Sequence, residues 1–301
     1  MAAAGSPTVR RRRLAAELRR LRGNQTGTAV ARALGWSPAK ISRYELGQGG
    51  FPLDEVEKLL DFYGVVEPRR SQLLSLAEDA NQRGWWEEYA DTISPHYAEF
   101  IGLEAEADTV AQWQVETIPG LFQTRDYAWY IHNAIQDVTP TAPSIIERRV
   151  DVRMARQRVL TERDPPLKLS VVLDESALLR EIGGPDVMRA QLTRLAQMAD
   201  IPNVDLRVLP FRRTSSIMAS SYVLFGFDSV EGSGPLGDVV SAETVSSGEL
   251  SVEGETDTYL YRLIFRELTN VALTPVESRQ LITRTAERVW SVTKTRTKNL
   301  R

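Results

Sequence analysis

The stretch GWSPAKISRYELGQG, residues 35–49, decides how the chain is read. Ser37 can cap a first helical turn through its hydroxyl, and Pro38 suits the first position inside it. Gly47 or Gly49 then offers a left-handed stop. At helical spacing Ile41, Tyr44 and Leu46 turn one way, which leaves Pro38, Ala39, Lys40, Ser42 and Arg43 on the other. That outer side is short, basic and uncluttered. A helix of this kind fits a DNA major groove, where small side chains permit close approach and an arginine can donate two hydrogen bonds to guanine. The same pattern also describes an ordinary charged surface helix, so its neighbours must arbitrate.

Working outward, the spacing predicts helices over 8–22, 28–34, 37–46, 53–63 and 68–81. Gly23, Gly35, Gly47 and Gly64 stand where these should end, and Thr26 can cap the second. Apolar positions such as Leu14, Leu18, Val30, Leu34, Ile41, Val56, Leu59 and Leu60 recur at three- and four-residue intervals. Five short helices sharing such faces make a compact bundle.

Charge divides the chain in the same place. The whole sequence of 301 residues carries a net charge of −3, but the first 50 hold ten Lys or Arg against two acids. One end, at +8, is built to meet anions; the remaining 251 residues carry −11. The run Arg10, Arg11, Arg12 and Arg13 reads either as a basic first turn that touches phosphates or as a solvated helix start. The absence of cysteine removes disulfides and thiolate chemistry and fits a reducing compartment. No apolar run approaches the roughly 18 residues of a membrane span, and MAAAGSPTVRRRR has no apolar stretch after its charges. A cytoplasmic protein with no membrane contact is expected.

The segment TGTAVARALGWSPAKISRYELGQGGFPLDEVEKLLDFYGV, residues 26–65, resembles the Xre-type helix-turn-helix domain of phage lambda repressor-like regulators. The likeness lies in A-x-x-L-G closing the second helix and I-S-x-x-E-x-G in the third. It implies double-stranded DNA as partner, with Pro38, Ala39, Lys40, Ser42 and Arg43 on the groove side. It also places Gly27, Thr28 and Ser37 near phosphates, where helix N-termini favour anions. Gly27 and Pro38 replace the glutamines that many members carry at those helix starts, which leaves Arg43 as the residue for base reading. Glu45 resembles the family's buried acid, with Arg20 its expected partner. One such helix reads few base pairs, so a homodimer is expected.

Beyond residue 80 the texture changes. Ser94 and Thr124 read as helix starts, Ser144 with Glu147 as a capping box, and Thr274 with Glu277 as another. LKLSVVLD, VDLRVLP, SYVLFGF, GDVVSAE and GELSVE read as strands, closely spaced enough to suggest a mostly antiparallel sheet. Helices over about 256–269 and 275–295 would close the chain. The fold class is therefore α+β: a five-helix lambda repressor-like domain over 1–80, then an α+β domain over 81–301 for regulation, sensing or partner binding.

FIGLEAEA, IPGLFQTRDYA, RRVDVRMARQRVL, VLDESALLREIGG, QLTRLAQMADIPNVDLRVLPF and SRQLI resemble the C-terminal domain of unknown function that follows Xre domains in actinobacterial, antitoxin-like transcription regulators. That resemblance implies a small protein partner encoded nearby, or a signal, as the thing bound. A small-molecule effector is the second reading and an enzyme fused to a DNA-binding module the third.

Enzyme signals are weak. GSGPLG, residues 232–237, fits a dinucleotide fingerprint in letters only, because a proline interrupts it and a strand follows; it reads as a hairpin loop. Asp174 is better explained as a helix cap than as half of a catalytic pair with Glu175. His96 and His132 lie too far apart for a local metal motif. No catalytic residue, metal or cofactor is assigned. The aromatic group from Trp85 to Tyr130 reads as core or as a pocket wall. If a ligand or partner pocket exists, Trp113, Pro119, Gly120, Leu121, Phe122, Gln123, Arg125 and Tyr127 are its candidates.

Overall fold

The computed structural model describes residues 7–134, 139–213, 219–227, 237–244, 248–252 and 255–291. Its contacts divide the chain into two compact units, Met1–Asp108 with Phe225–Val239, and Thr109–Leu224 with Val240–Arg301.

The first unit is helical: α1 Pro7–Arg22, α2 Gly27–Leu34, α3 Pro38–Glu45, α4 Leu53–Phe62, α5 Arg69–Ala80 and α6 Pro95–Glu106. Leu14 and Leu18 of α1, Val30 and Ala31 of α2, Ile41 and Tyr44 of α3, and Val56, Leu59 and Leu60 of α4 form one buried cluster with Phe51, Leu73 and Ala77. Glycine punctuates these helices as the sequence suggests. Gly35 adopts φ 68° after α2, and Trp36 N–H reaches back to Ala31 O at 2.8 Å, which closes the helix with a left-handed turn. Gly47 does the same after α3, with Gln48 N–H donating to Arg43 O at 2.9 Å.

The second unit is built on a six-stranded sheet in the order β3-β2-β1-β4-β5-β6, of which β4 reaches the unit boundary. The strands are β1 Thr109–Gln114, β2 Lys168–Asp174, β3 Val204–Leu209, β4 Tyr222–Gly226, β5 Val239–Thr244 and β6 Gly248–Val252. The sheet is mixed, which corrects the mostly antiparallel expectation. β1 and β2 pair in parallel, as do β2 and β3, while β5 and β6 are antiparallel. Helical crossovers make the parallel half feasible. α7 Arg125–Asn133 and α8 Pro143–Arg156 lie between β1 and β2, and α9 Ser176–Leu179 and α10 Pro185–Met198 lie between β2 and β3. Val171, Val172 and Leu173 are all buried, so β2 is covered on both faces, as parallel strands usually are. One face carries Trp113, Val172, Tyr222, Leu224 and Val240 against Leu268 of α11 Glu255–Val271 and Ala272 just beyond it. α12 Pro275–Arg288 packs on α10 and β3.

Two local expectations need correction. β1, TVAQWQ, is a strand that the residue pattern did not reveal, because its glutamines mask the alternation. Ser144 does not open a capping box; Ala142 is the N-cap and Pro143 takes the first helical position of α8, which shifts Ser144 inside the helix. The Thr274–Glu277 box is present in full at α12. Asp174 accepts a bond from Ser176 N–H at 2.9 Å, just ahead of α9. Residues 232–236 of the glycine-rich GSGPLG stretch lie outside the described residues.

Candidate DNA interface

α2 and α3 are joined by Gly35, Trp36 and Ser37, and both helices are capped at the start. Thr26 Oγ1 accepts from Ala29 N–H at 3.2 Å and Ser37 Oγ from Lys40 N–H at 3.3 Å. The remaining first-turn amides of such helices lack intrahelical acceptors and favour anions. The two helices pack closely at Gly27, where a methyl group would stand 3.5 Å from Ile41 Cγ2. Ile41 and Tyr44 are buried and hold α3 from within, whereas Leu46, which the spacing also turned inward, is exposed because α3 ends at Glu45 and Leu46 is its C-cap.

Its outer side is split. Pro38, Ala39, Ser42 and Arg43 are exposed, as are Thr28 and Ser37, and Gly27 is half-buried. Lys40 is not free to reach outward: its ammonium lies 2.6 Å from Glu55 of α4 and 4.0 Å from the Trp36 ring centroid. Glu55 also accepts a hydrogen bond from the Tyr44 hydroxyl. Bonds from Lys40 and then Tyr44 hold the Glu55 carboxyl below its ordinary range. Burial and then Glu55 push the Tyr44 hydroxyl well above its own. Glu55 and Trp36 are thus positioning residues for α3 that the sequence reading missed. The available signal was weak: an acid in the first turn of α4, eleven residues beyond Tyr44.

Glu45 is paired with Arg22, not with Arg20. Arg22 Nε stands 2.5 Å from Oε1 and Nη2 3.1 Å from Oε2, a two-point contact that raises the guanidinium above its ordinary value. Arg20 turns instead to Glu17 at 2.9 Å, and Arg69 approaches the same buried carboxylate at 2.6 Å. The arginine run is largely engaged inside the unit. Arg10 pairs with Asp79 at 3.1 Å and Glu106 at 3.4 Å, Arg11 Nε donates to Ala80 O at 2.8 Å, and Arg12 pairs with Glu99. Arg13 is half-buried.

In the second unit, residues 118–124 form a tight turn, many of whose polar atoms are bonded within the protein. Gln123 donates to Ile118 O at 2.7 Å and accepts from Arg153 at 2.8 Å; Gln157 donates to Gly120 O and Gln123 O. Gln191 spans the turn, accepting from Thr124 N–H at 2.7 Å and donating to Phe122 O at 2.9 Å. Pro119, Leu121, Phe122, Gln123 and Tyr127 are buried, Gly120 is half-buried, and burial pushes the Tyr127 hydroxyl up to about 12. Arg125 is exposed and bridges Glu147 and Asp151. Trp113 belongs to the separate cluster against α11 and donates from its indole to Ala219 O at 2.9 Å. Trp85 and Tyr130 are exposed, whereas Trp86 is buried.

Among the described residues no group of three or more His, Asp or Glu could hold a metal ion, and no helix is long and apolar enough to cross a membrane. No curated relative and no solved structure matches the chain. Residues 13–73 match the family model described as a helix-turn-helix domain, which covers α2, the turn and α3 and makes this end a DNA-binding domain. Residues 97–284 match the model described as a domain of unknown function (DUF5753). The latter spans more than half of the sequence, so the chain belongs to the DUF5753 family and carries a helix-turn-helix domain ahead of it.

Proposed function

We propose that this protein is a sequence-specific transcription regulator that binds double-stranded DNA as a homodimer in the cytoplasm, reading bases with Arg43. The observation that carries the reading is the division of α3: Ile41 and Tyr44 buried, Pro38, Ala39, Ser42 and Arg43 exposed. Small residues at its N-terminal end allow backbone approach to the groove floor, and Arg43 supplies a fork for guanine. Thr28, Ser37 and the first amides of α2 and α3 serve phosphates, with Gly27 setting the close approach of the helices. Lys40, held by Glu55, positions α3 and contributes charge at a distance. Two copies place two such helices on successive turns of one DNA face.

Residues 1–80 are taken as the DNA-binding domain and 81–301 as the regulatory domain, a binding module and not an enzyme. A small protein partner, encoded nearby in antitoxin-like systems, is its preferred ligand. The interior packing of Leu121, Phe122, Gln123 and Tyr127 supports a scaffold role for that turn, while exposed Phe211, Tyr259, Leu260 and Val276 supply apolar surface for a partner to cover. A metabolite that raised the melting temperature at micromolar concentration would favour a small-molecule effector instead. Footprinting on the DNA flanking the protein's own gene tests the reading as a whole. A palindromic footprint with half-sites about one helical turn apart supports it; uniform coverage that is lost in modest salt refutes sequence specificity.

A further inference from the structure

Acids of α6 engage the first two turns of α1. Arg12 pairs with Glu99 and Arg10 with Glu106 as well as with Asp79 of α5, and the two arginine side chains are only 16% and 20% exposed. The helix-turn-helix match ends at residue 73, and the DUF5753 match begins at residue 97, inside α6. The cations therefore stand at the helix-turn-helix end of the sequence, just ahead of that match, whereas Glu99 and Glu106 lie inside the DUF5753 match. The intervening residue, Arg11, adjoins the exit of the recognition helix: a methyl group on Gly47 would stand 3.4 Å from Arg11 O.

We propose that α6 is an autoinhibitory clamp, in which Glu99 and Glu106 stand in for DNA phosphates and keep Arg10 and Arg12 from them. This rests on the DNA-binding reading above. A carboxylate and a phosphate accept the same charge-assisted bonds from a guanidinium, so one arginine cannot serve both at full strength. A signal that draws α6 away from α1 exchanges the internal acceptors for DNA and adds phosphate contacts without altering base readout. The number of those contacts is directly measurable, because each phosphate neutralised steepens the dependence of log K on log salt by about 0.9.

The test uses the full chain and two fluorescent duplexes, one carrying the footprinted fragment and one a scrambled sequence, titrated over a range of salt. Glu99→Gln with Glu106→Gln is expected to bind both duplexes more tightly than wild type, with a salt slope steeper by about 1 to 2. Adding Arg10→Gln and Arg12→Gln to that variant should return the slope to the wild-type value. Glu99→Gln alone, at a carboxylate 38% exposed, disturbs the fold least and should give about half the change in slope. An unchanged slope in the acid variants, or a gain that survives removal of both arginines, overturns the clamp while leaving DNA binding intact. Binding of neither duplex by any variant overturns the clamp and the DNA-binding reading together.

Discussion

Glu55→Ala is the sharpest perturbation of the recognition helix that leaves its outer face untouched. Glu55 holds Lys40 at 2.6 Å, between side chains 21% and 24% exposed, and accepts from the hydroxyl of Tyr44, a residue only 5% exposed. Partial solvation limits the ion pair to about 1 kcal/mol. Leaving the Tyr44 hydroxyl without its acceptor costs about another 1–2 kcal/mol, so a loss of about 2–3 kcal/mol is expected. Tyr44→Phe removes the same hydrogen bond from the other side and should cost about 1 kcal/mol alone but recover about 1–2 kcal/mol in the Glu55→Ala background, where it removes the stranded hydroxyl. The pH dependence has a definite sign. Because the folded Glu55 carboxyl titrates below its ordinary value, its contribution is complete above about pH 4.3 and is lost as pH falls through the folded value. The gap between wild type and Glu55→Ala should therefore narrow in acid. Urea unfolding, with amide exchange followed across α3, measures both effects. A loss below about 0.5 kcal/mol, the range of ordinary surface substitutions, would refute the clamp on α3, as would full additivity with Tyr44→Phe.

Other outcomes follow from the same geometry. Gly47→Ala forces a side chain into φ 67° against Arg11 O and should destabilise the first unit by about 1–2 kcal/mol, read as a lower Tm. Gln191→Leu leaves Thr124 N–H and Phe122 O unpaired beside a fully buried side chain and should cost about 2–3 kcal/mol in urea unfolding. His132 is held neutral, its value pushed down to about 3 first by burial and then by Arg153, Arg149 and Arg156. Unfolding therefore takes up a proton between about pH 6.5 and 3, and stability should fall across that window by up to about 1.4 kcal/mol per pH unit. His132→Gln should flatten that slope in the same urea series.

Much of the first unit was legible because its punctuation is local. Ser37, Thr26, Gly35, Gly47 and Gly64 each carry a backbone requirement that holds whatever packs nearby, so five helices are found within a residue or so of the spacing. Pairings are different. Arg20 and Arg22 are both basic residues in the last turn of α1, and only the packing of α3 decides that Arg22 meets Glu45 while Arg20 folds back on Glu17. Lys40 illustrates the same limit: helical spacing puts it on the outer side, yet a long side chain can bend to Glu55, on another helix. In the second unit strand composition alone did not give orientation, because parallel pairing depends on the helices between strands. β1 escaped notice because Gln112 and Gln114 look like solvent-facing residues, although Gln114 is buried and bonded to Thr117. Buried aromatics such as Phe122 and Tyr127 give no outward sign in the sequence of whether they fill a core or line a cleft.

The central claim is that the exposed side of α3 reads bases through Arg43. It is tested most directly by measuring the affinity of wild type and Arg43→Ala for the footprinted fragment and for single-base variants across each half-site, at fixed near-physiological salt. The account predicts a loss of about 1–3 kcal/mol on the native fragment, together with relaxed preference at one base position per half-site and unchanged preference elsewhere. An Arg43→Ala protein that binds and discriminates like wild type would contradict it.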